Sequence, residues 1–333
     1  MSNQQATNSQ DPKLLYMMAL LSQEINDDRQ ALSYYKQARD QIRSMDDTSQ
    51  DIDQLQYEIS LNMSNIFQRQ NNLTMANILI SEALQIAKKL QQQDKITKCL
   101  DTRGPIKRLQ GDYDGALLDH NDSVEIKLKL DENKGLDVSV SYFNIANIYL
   151  NQGKYDDAVR MYEKSLKIRL SALGDNHPSI ANTYGNIGNV YQQQGKYDDA
   201  LRMYEKSLKI ELLALGDNHP SIANTYHNMG NVYGRQGKYD DAVGMYEKSL
   251  KIRSSALGDN HPSIAQTYYN IGSVYCDQGK YDDAILFYEK VASILVDTHL
   301  QNHPNLAKIY DTVADCYDKQ NRLDDAEAMR QID

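Results

Sequence analysis

HPSIANTYGNIGNVYQQQGKYDDALRMYEKSLKI, residues 177–210, is nearly repeated 42 residues later by HPSIANTYHNMGNVYGRQGKYDDAVGMYEKSLKI, residues 219–252. The opening pair recurs at His177-Pro178, His219-Pro220, His261-Pro262 and His303-Pro304, always 42 residues apart. A fixed period of about 20 to 50 residues marks a stacked repeat architecture. It also bounds function, because similar units side by side build an extended surface rather than a single reaction centre.

Within one unit, Ile180, Tyr184, Ile187 and Tyr191 recur at spacings of four, three and four, which is one face of an α-helix. Asp175, Asn176 and His177 before Pro178 form a helix start, since Pro suits the first turn. Gly195 interrupts the pattern. A second run then carries Tyr197, Ala200, Leu201, Tyr204, Leu208 and Ile210, and Leu215-Gly216 reads as a left-handed C-cap. The second helix is expected to span about 20 residues, roughly 30 Å. Gly188, Ala200 and Ser207 are small where helices must approach, and Tyr184, Tyr191, Tyr197 and Tyr204 fill the space between.

This order of small and aromatic residues resembles a tetratricopeptide repeat. With its 42-residue period, the phrase ALGDNHPSIANTY…NIGNVYQQQGKYDDALRMYEKSLKI resembles the repeat domain of kinesin light chains. The likeness is strong over residues 137–333 and weaker before them. It implies an all-α, right-handed superhelical solenoid of helix-turn-helix units. The Ala that opens each second helix gives the register: Ala116, Ala158, Ala200, Ala242, Ala284 and Ala326 are 42 apart, with Ala76 and Ala31 upstream at spacings of 40 and 45. About eight hairpins are expected. Residues 1–10 read as a disordered tail, 11–136 as divergent repeats and 137–333 as regular ones; 44–52 and 131–136 read as polar loops. Arg103, Gly104 and Pro105 break the pattern, and Pro disrupts helix interiors. A broken or short helix is predicted there, with a bend or a seam between two half-arrays. The last helix has only about 11 residues before Asp333, which suggests an end capped by self-association or continued in a longer protein.

A net charge of −10 argues against nucleic acid as partner. No apolar run of membrane-spanning length exists and residues 1–13 lack a secretory pattern, so a cytoplasmic chain is expected. Cys99, Cys276 and Cys316 form no motif and read as free thiols in a reducing compartment. One His per repeat cannot converge on one metal, and the Asp-Asp pairs, such as Asp198-Asp199, sit where acids favour a helix N-terminus. No nucleotide-binding, nucleophile-elbow or metalloprotease motif is present. No cofactor, metal or catalytic residue is expected.

The candidate binding residues are polar residues of the first helices. Asn144 and Asn147; Asn182, Asn186 and Asn189; Asn224, Asn228 and Asn231; and Asn270 recur on strict spacing, with Asn65 in an early unit. An amide can donate to and accept from an extended peptide backbone. In kinesin light chains, Asn residues of this helix line the cargo-peptide groove, and the resemblance carries most directly to Asn144, Asn186, Asn228 and Asn270. The alternative is that these amides only tie neighbouring helices together. Between copies, Gly185 becomes His227, Gln192 becomes Gly234 and Gln193 becomes Arg235; the next copy has Tyr269, Cys276 and Asp277. With Asn189, these positions follow i, i+4, i+7 and i+8, one helical stripe. Residues 181–193, 223–234 and 265–276 carry no Lys, Arg, Asp or Glu. The basic clamp of chaperone-binding relatives, and the basic groove residues that kinesin light chains use for acidic cargo motifs, are therefore missing from these repeats. The expected ligand is a neutral or mixed peptide segment of a protein partner, and the expected role is a non-enzymatic adaptor. The recognition or assembly arm of a larger signalling enzyme is the alternative.

Overall fold

The computed structural model describes residues 11–45, 47, 49–130, 135–297 and 304–332. The expected tail, residues 131–134 of one loop, and His303 lie outside the described residues. Among those described there are sixteen α-helices and no strand, forming eight successive hairpins. The first four are α1 (Pro12–Glu24) with α2 (Asp28–Ser44), α3 (Gln50–Arg69) with α4 (Leu73–Lys89), α5 (Gln93–Leu109) with α6 (Tyr113–Leu130), and α7 (Gly135–Asn151) with α8 (Tyr155–Leu173). The next four are α9 (Pro178–Gln193) with α10 (Tyr197–Leu215), α11 (Pro220–Arg235) with α12 (Tyr239–Leu257), α13 (Pro262–Asp277) with α14 (Tyr281–Asp297), and α15 (Pro304–Lys319) with α16 (Leu323–Arg330). The chain divides into two compact units, Met1–Ser165 and Leu166–Asp333.

Local chemistry sets the helix boundaries. His177 is an N-cap: its Nδ1 accepts from the Ser179 N–H at 3.2 Å, with Pro178 at the first helical position. His219 and His261 repeat this geometry. The recurring His is thus a helix-capping group. Every turn inside a hairpin contains one residue at positive φ, a Gly such as Gly195 (72°) in the third to seventh hairpins and Asn26 (59°), Asn71 (57°) or Asn321 (60°) in the first, second and eighth. Asn is, after Gly, the residue that tolerates this region best. Gly216 has positive φ as expected (78°), but its ψ of 162° is extended rather than left-handed helical. That region is open essentially to glycine alone, and it sends the chain outward into the Asp217-Asn218-His219 start of the next hairpin.

The register residues carry the packing. Ala31, Ala76, Ala116, Ala158, Ala200, Ala242, Ala284 and Ala326 are fully buried. A Cβ added at Gly188 would lie 2.7 Å from the Tyr204 ring, so glycine is what lets that buried ring seat against the first helix. Gly230 with Tyr246 and Gly272 with Tyr288 repeat the contact.

Five expectations are corrected. The helix at Arg103-Gly104-Pro105 is neither broken nor short: α5 runs through Pro105 as a continuous 17-residue helix. Packing outweighs the intrinsic penalty of about 3 kcal/mol. Arg103 grips Asp119 through two bonds of 2.8 and 2.6 Å, Lys107 lies 3.1 Å from the same carboxylate, and Gly104 seats His120 as Gly188 seats Tyr204. The division between compact units falls inside α8 and not at this site. The loop expected over 44–52 is narrower, since Ser44 ends α2 and Gln50 begins α3 with Asp51 and Asp53 in its first turn. α7 begins at Gly135, within the loop expected to reach residue 136, and α16 has 8 residues rather than about 11.

Candidate functional site

In the second unit the first helices α9, α11 and α13 neighbour one another, and a cleft of about 520 Å³ crosses them. α9 contributes Gln192. His227, Asn231, Gly234 and Arg235 come from α11, and Gln266, Asn270, Ser273, Val274 and Asp277 from α13; Tyr246 of α12 forms part of the wall. The variable stripe therefore lines the cleft: all four of its positions in α11, two in α13 and one in α9.

The asparagines have structural work as well. The Tyr246 hydroxyl donates to Asn231 Oδ1 at 2.7 Å, and Asn270 Nδ2 donates to the same oxygen at 3.1 Å. One hairpin earlier, Asn189 Oδ1 accepts from Tyr204 at 2.6 Å and from Asn228 Nδ2 at 3.3 Å. Each oxygen thus satisfies a buried phenol and joins two hairpins. The Nδ2 groups of Asn189 and Asn231 donate to no protein group among the described residues. In the first unit, Asn147 Oδ1 accepts from the Tyr162 hydroxyl in the same way.

His227 stands over the cleft with its ring edge-on to Tyr246, centroids 5.4 Å apart. Asn270 Nδ2 is 3.1 Å from His227 Nε2, so that nitrogen accepts and the ring proton belongs on Nδ1. Nδ1 is buried and finds no partner among the described residues. Burial, with the Arg253 charge in support, depresses this imidazole to about 4. It is neutral at physiological pH. Arg235 and Asp277 are the charged lining residues; both are exposed, and among the described residues neither forms an ion pair. Groups of three or more His, Cys, Asp or Glu able to hold a metal do not occur among the described residues.

The cleft thus brings together His227, Asn231, Arg235 and Asn270 of the residues singled out from sequence. The rest lie elsewhere. Asn144 and Asn147 belong to α7 in the first unit. Asn182 is exposed, and Asn186 donates to the Asn182 carbonyl of its own helix at 2.8 Å. Asn224 Oδ1 accepts from Arg253 at 2.9 Å, and Tyr269 leans on Tyr288 with centroids 5.5 Å apart. Asn189 and Asn228 couple α9 to α11 outside the cleft lining. Sequence reasoning misses Gln266, Ser273, Val274 and Tyr246. Ser273 occupies the register of Asn189 and Asn231, so repeat alignment alone would find it; the others follow only from the helix crossing.

Residues 137–212, 187–254, 221–296 and 263–330 each match the tetratricopeptide repeat family, together covering more than half of the 333 residues. The chain belongs to the tetratricopeptide repeat family. Such repeats generally mediate protein–protein interaction. No curated protein is a significant match. Among solved structures, the chain is similar to BtubC (BKLC) from P. vanneervenii, at 21% identity and TM-score 0.55, over 64% of this chain and 86% of that one. It is also similar to the nearly identical TPR-like repeats of a protein assigned as a kinesin light chain from Podosopora anserina: 22% identity, TM-score 0.53, 60% of this chain and 95% of that one. A signal transduction ATPase with numerous domains from Pyrococcus horikoshii, which carries a tetratricopeptide repeat sensor, shares 14% identity at TM-score 0.64, over 87% of this chain and 43% of that one. These likenesses show a common fold. Among the described residues no helix is long and apolar enough to cross a membrane.

Proposed function

We propose that the cleft across α9, α11 and α13 holds an extended segment of a partner protein, and that the chain is a non-enzymatic adaptor of the kinesin light chain type, working in the cytoplasm. One observation carries this reading: a cleft of peptide-accommodating size bears one cation, Arg235, and one anion, Asp277, that form no ion pair among the described residues, beside the Asn231 amide donor that meets no protein acceptor among them. The amide and the side chains of Gln192 and Gln266 suit a peptide backbone. Arg235 and Asp277 suit a segment carrying one acidic and one basic side chain, neutral in sum. A motor cargo is one such partner, consistent with the fold shared with kinesin-light-chain-like repeats.

The test is a peptide array probed with the full chain and with Arg235→Glu and Asp277→Lys, both at exposed positions. Each reversal should invert the preferred charge at one peptide position. Identical binding profiles for all three proteins would sink the assignment. A second reading, the recognition arm of a larger signalling enzyme, draws on the fold shared with the Pyrococcus horikoshii sensor. Recovery of kinesin heavy chain with the protein favours the adaptor, whereas a transcript encoding a catalytic domain in the same chain favours the arm.

A further inference from the structure

The joint between the last two hairpins is built differently from the two joints before it. At the earlier joints an Asn oxygen links a phenol to the next first helix. Here the register position of Asn189 and Asn231 is Ser273. The counterpart of Asn228 and Asn270 is Thr312, whose Oγ1 bonds the Lys308 carbonyl of its own helix. The amide link is gone. In its neighbourhood stand two sulfurs: Cys276 Sγ is 3.0 Å from Cys316 Sγ, and the Tyr288 hydroxyl lies 3.9 Å from Cys276 Sγ. Cys276, on the last turn of α13, stands where earlier copies have Gln192 and Gly234. Cys316, in α15, stands in the row of Val190, Val232 and Val274.

We propose that Cys276 and Cys316 are a dithiol modification site, which a peroxide converts to a disulfide that fastens the eighth hairpin to the seventh. Cys276 is half-buried and Cys316 only 1% exposed, so Cys276 is the sulfur that meets the oxidant. Either sulfur can donate in this contact; with Cys316 as the donor the bond favours the Cys276 thiolate and holds the Cys316 proton in place. The Cys276 thiolate attacks one peroxide oxygen. An S–O bond forms, the O–O bond breaks, and hydroxide leaves and takes up a proton as water. Cys316 then attacks the oxidised sulfur, its proton leaving with the departing hydroxide as a second water. Two thiols lose two electrons, and hydrogen peroxide gains them. The sulfurs need to close by only about 1 Å to reach disulfide length. Cys99 is fully buried and its thiol is pushed up to about 11 by burial, so it should stay unreacted under the same treatment. The cross-link joins residues 40 positions apart, restricting the unfolded chain and resisting separation of α15 from α13.

The full chain is treated with hydrogen peroxide, alkylated, digested and analysed by mass spectrometry, with hydrogen exchange measured before and after. A linked Cys276–Cys316 peptide two hydrogens lighter should form before Cys99 is modified. Exchange in α15 and α16 should slow by about tenfold or more, and dithiothreitol should reverse both. Cys316→Val, the residue of the earlier copies, should abolish the link and the slowing. Oxidation of Cys276 to sulfinate without a link, a link between two chains, or earlier reaction of Cys99 would each overturn the proposal, and these outcomes are read on the unmutated protein.

Discussion

Asn231 and Tyr246 meet through one short hydrogen bond, hydroxyl to Oδ1 at 2.7 Å, and the same oxygen accepts from Asn270 of the next hairpin at 3.1 Å. Tyr246 is only 3% exposed, and Asn231 is the acceptor for its hydroxyl proton. The side chain that sits on the cleft is also the clasp between repeats. Binding and stability therefore overlap at the asparagines, and separate at Arg235 and Asp277.

Replacing Asn231 by Ala should destabilise the array by about 1–3 kcal/mol, the cost of leaving a buried hydroxyl unpaired. Adding Tyr246→Phe should recover part of the loss, because the buried hydroxyl that lost its acceptor is then removed. Asn186→Ala, which removes only a bond within its own helix, should stay within about 0.5 kcal/mol. Urea denaturation of the unmutated protein, the two single variants Asn231→Ala and Tyr246→Phe and their double variant measures the coupling, with Asn186→Ala as the control.

Glu211 is a charge misplaced in a basic register. Arg169 and Arg253 donate to the carbonyls of Ser179 and Ser263 and to Thr183 and Thr267, whereas Glu211 in the same register accepts from the Thr225 hydroxyl. Burial raises its carboxyl above the usual 4.5. A carboxyl raised on folding supports the native state fully below 4.5 and loses that support as pH rises through the folded value. Glu211→Gln should therefore raise the melting temperature at pH 7 and leave it nearly unchanged below pH 4.5, as calorimetry at both pH values would show. Glu211→Arg should do more, by regaining the bonds of Arg253.

His227 has the opposite sense. Its imidazole falls from 6.5 to about 4 on folding, because the charged form is poorly solvated there. Its contribution is complete above pH 6.5 and is lost as pH falls from 6.5 to about 4. Each pH step of one within that window removes at most about 1.4 kcal/mol. His227→Phe, the aromatic found at Phe143 in an earlier copy, should flatten this part of the stability–pH profile. An unchanged slope between pH 6.5 and 4 would contradict the assigned environment.

Asp119 is 1% exposed and holds both Arg103 and Lys107. Asp119→Ala should cost about 3–5 kcal/mol by leaving two half-buried cations without a counter-charge. The regular copies carry Ile187 and Met203 at the registers of Arg103 and Asp119. The double variant Arg103→Ile, Asp119→Met should accordingly regain the part of that loss due to Arg103 in thermal unfolding and leave the part due to Lys107.

The points at which sequence and structure part share a cause. The local cost of Pro105 predicts a break, but the helix around it is held by Asp119 and His120 from α6. The asparagines can be assigned to a helical stripe, yet whether an amide faces a ligand or a neighbouring phenol depends on residues 15 and 39 positions away. The two cysteines lie 40 apart rather than 42, so they fall in different columns when repeats are aligned, and nothing in either column pairs them.

By itself the sequence determined the helical repeat, the hairpin count, the His-Pro helix starts and the Gly turns of the regular copies, because these depend on spacings and capping groups within a few residues of one another. Only the tertiary structure decided which stripe residues share a cleft, which amide atoms remain free, and which two sulfurs touch. Those outcomes depend on the distance and angle between helices that are one repeat apart. A change of an ångström there reassigns a hydrogen bond without altering any local pattern.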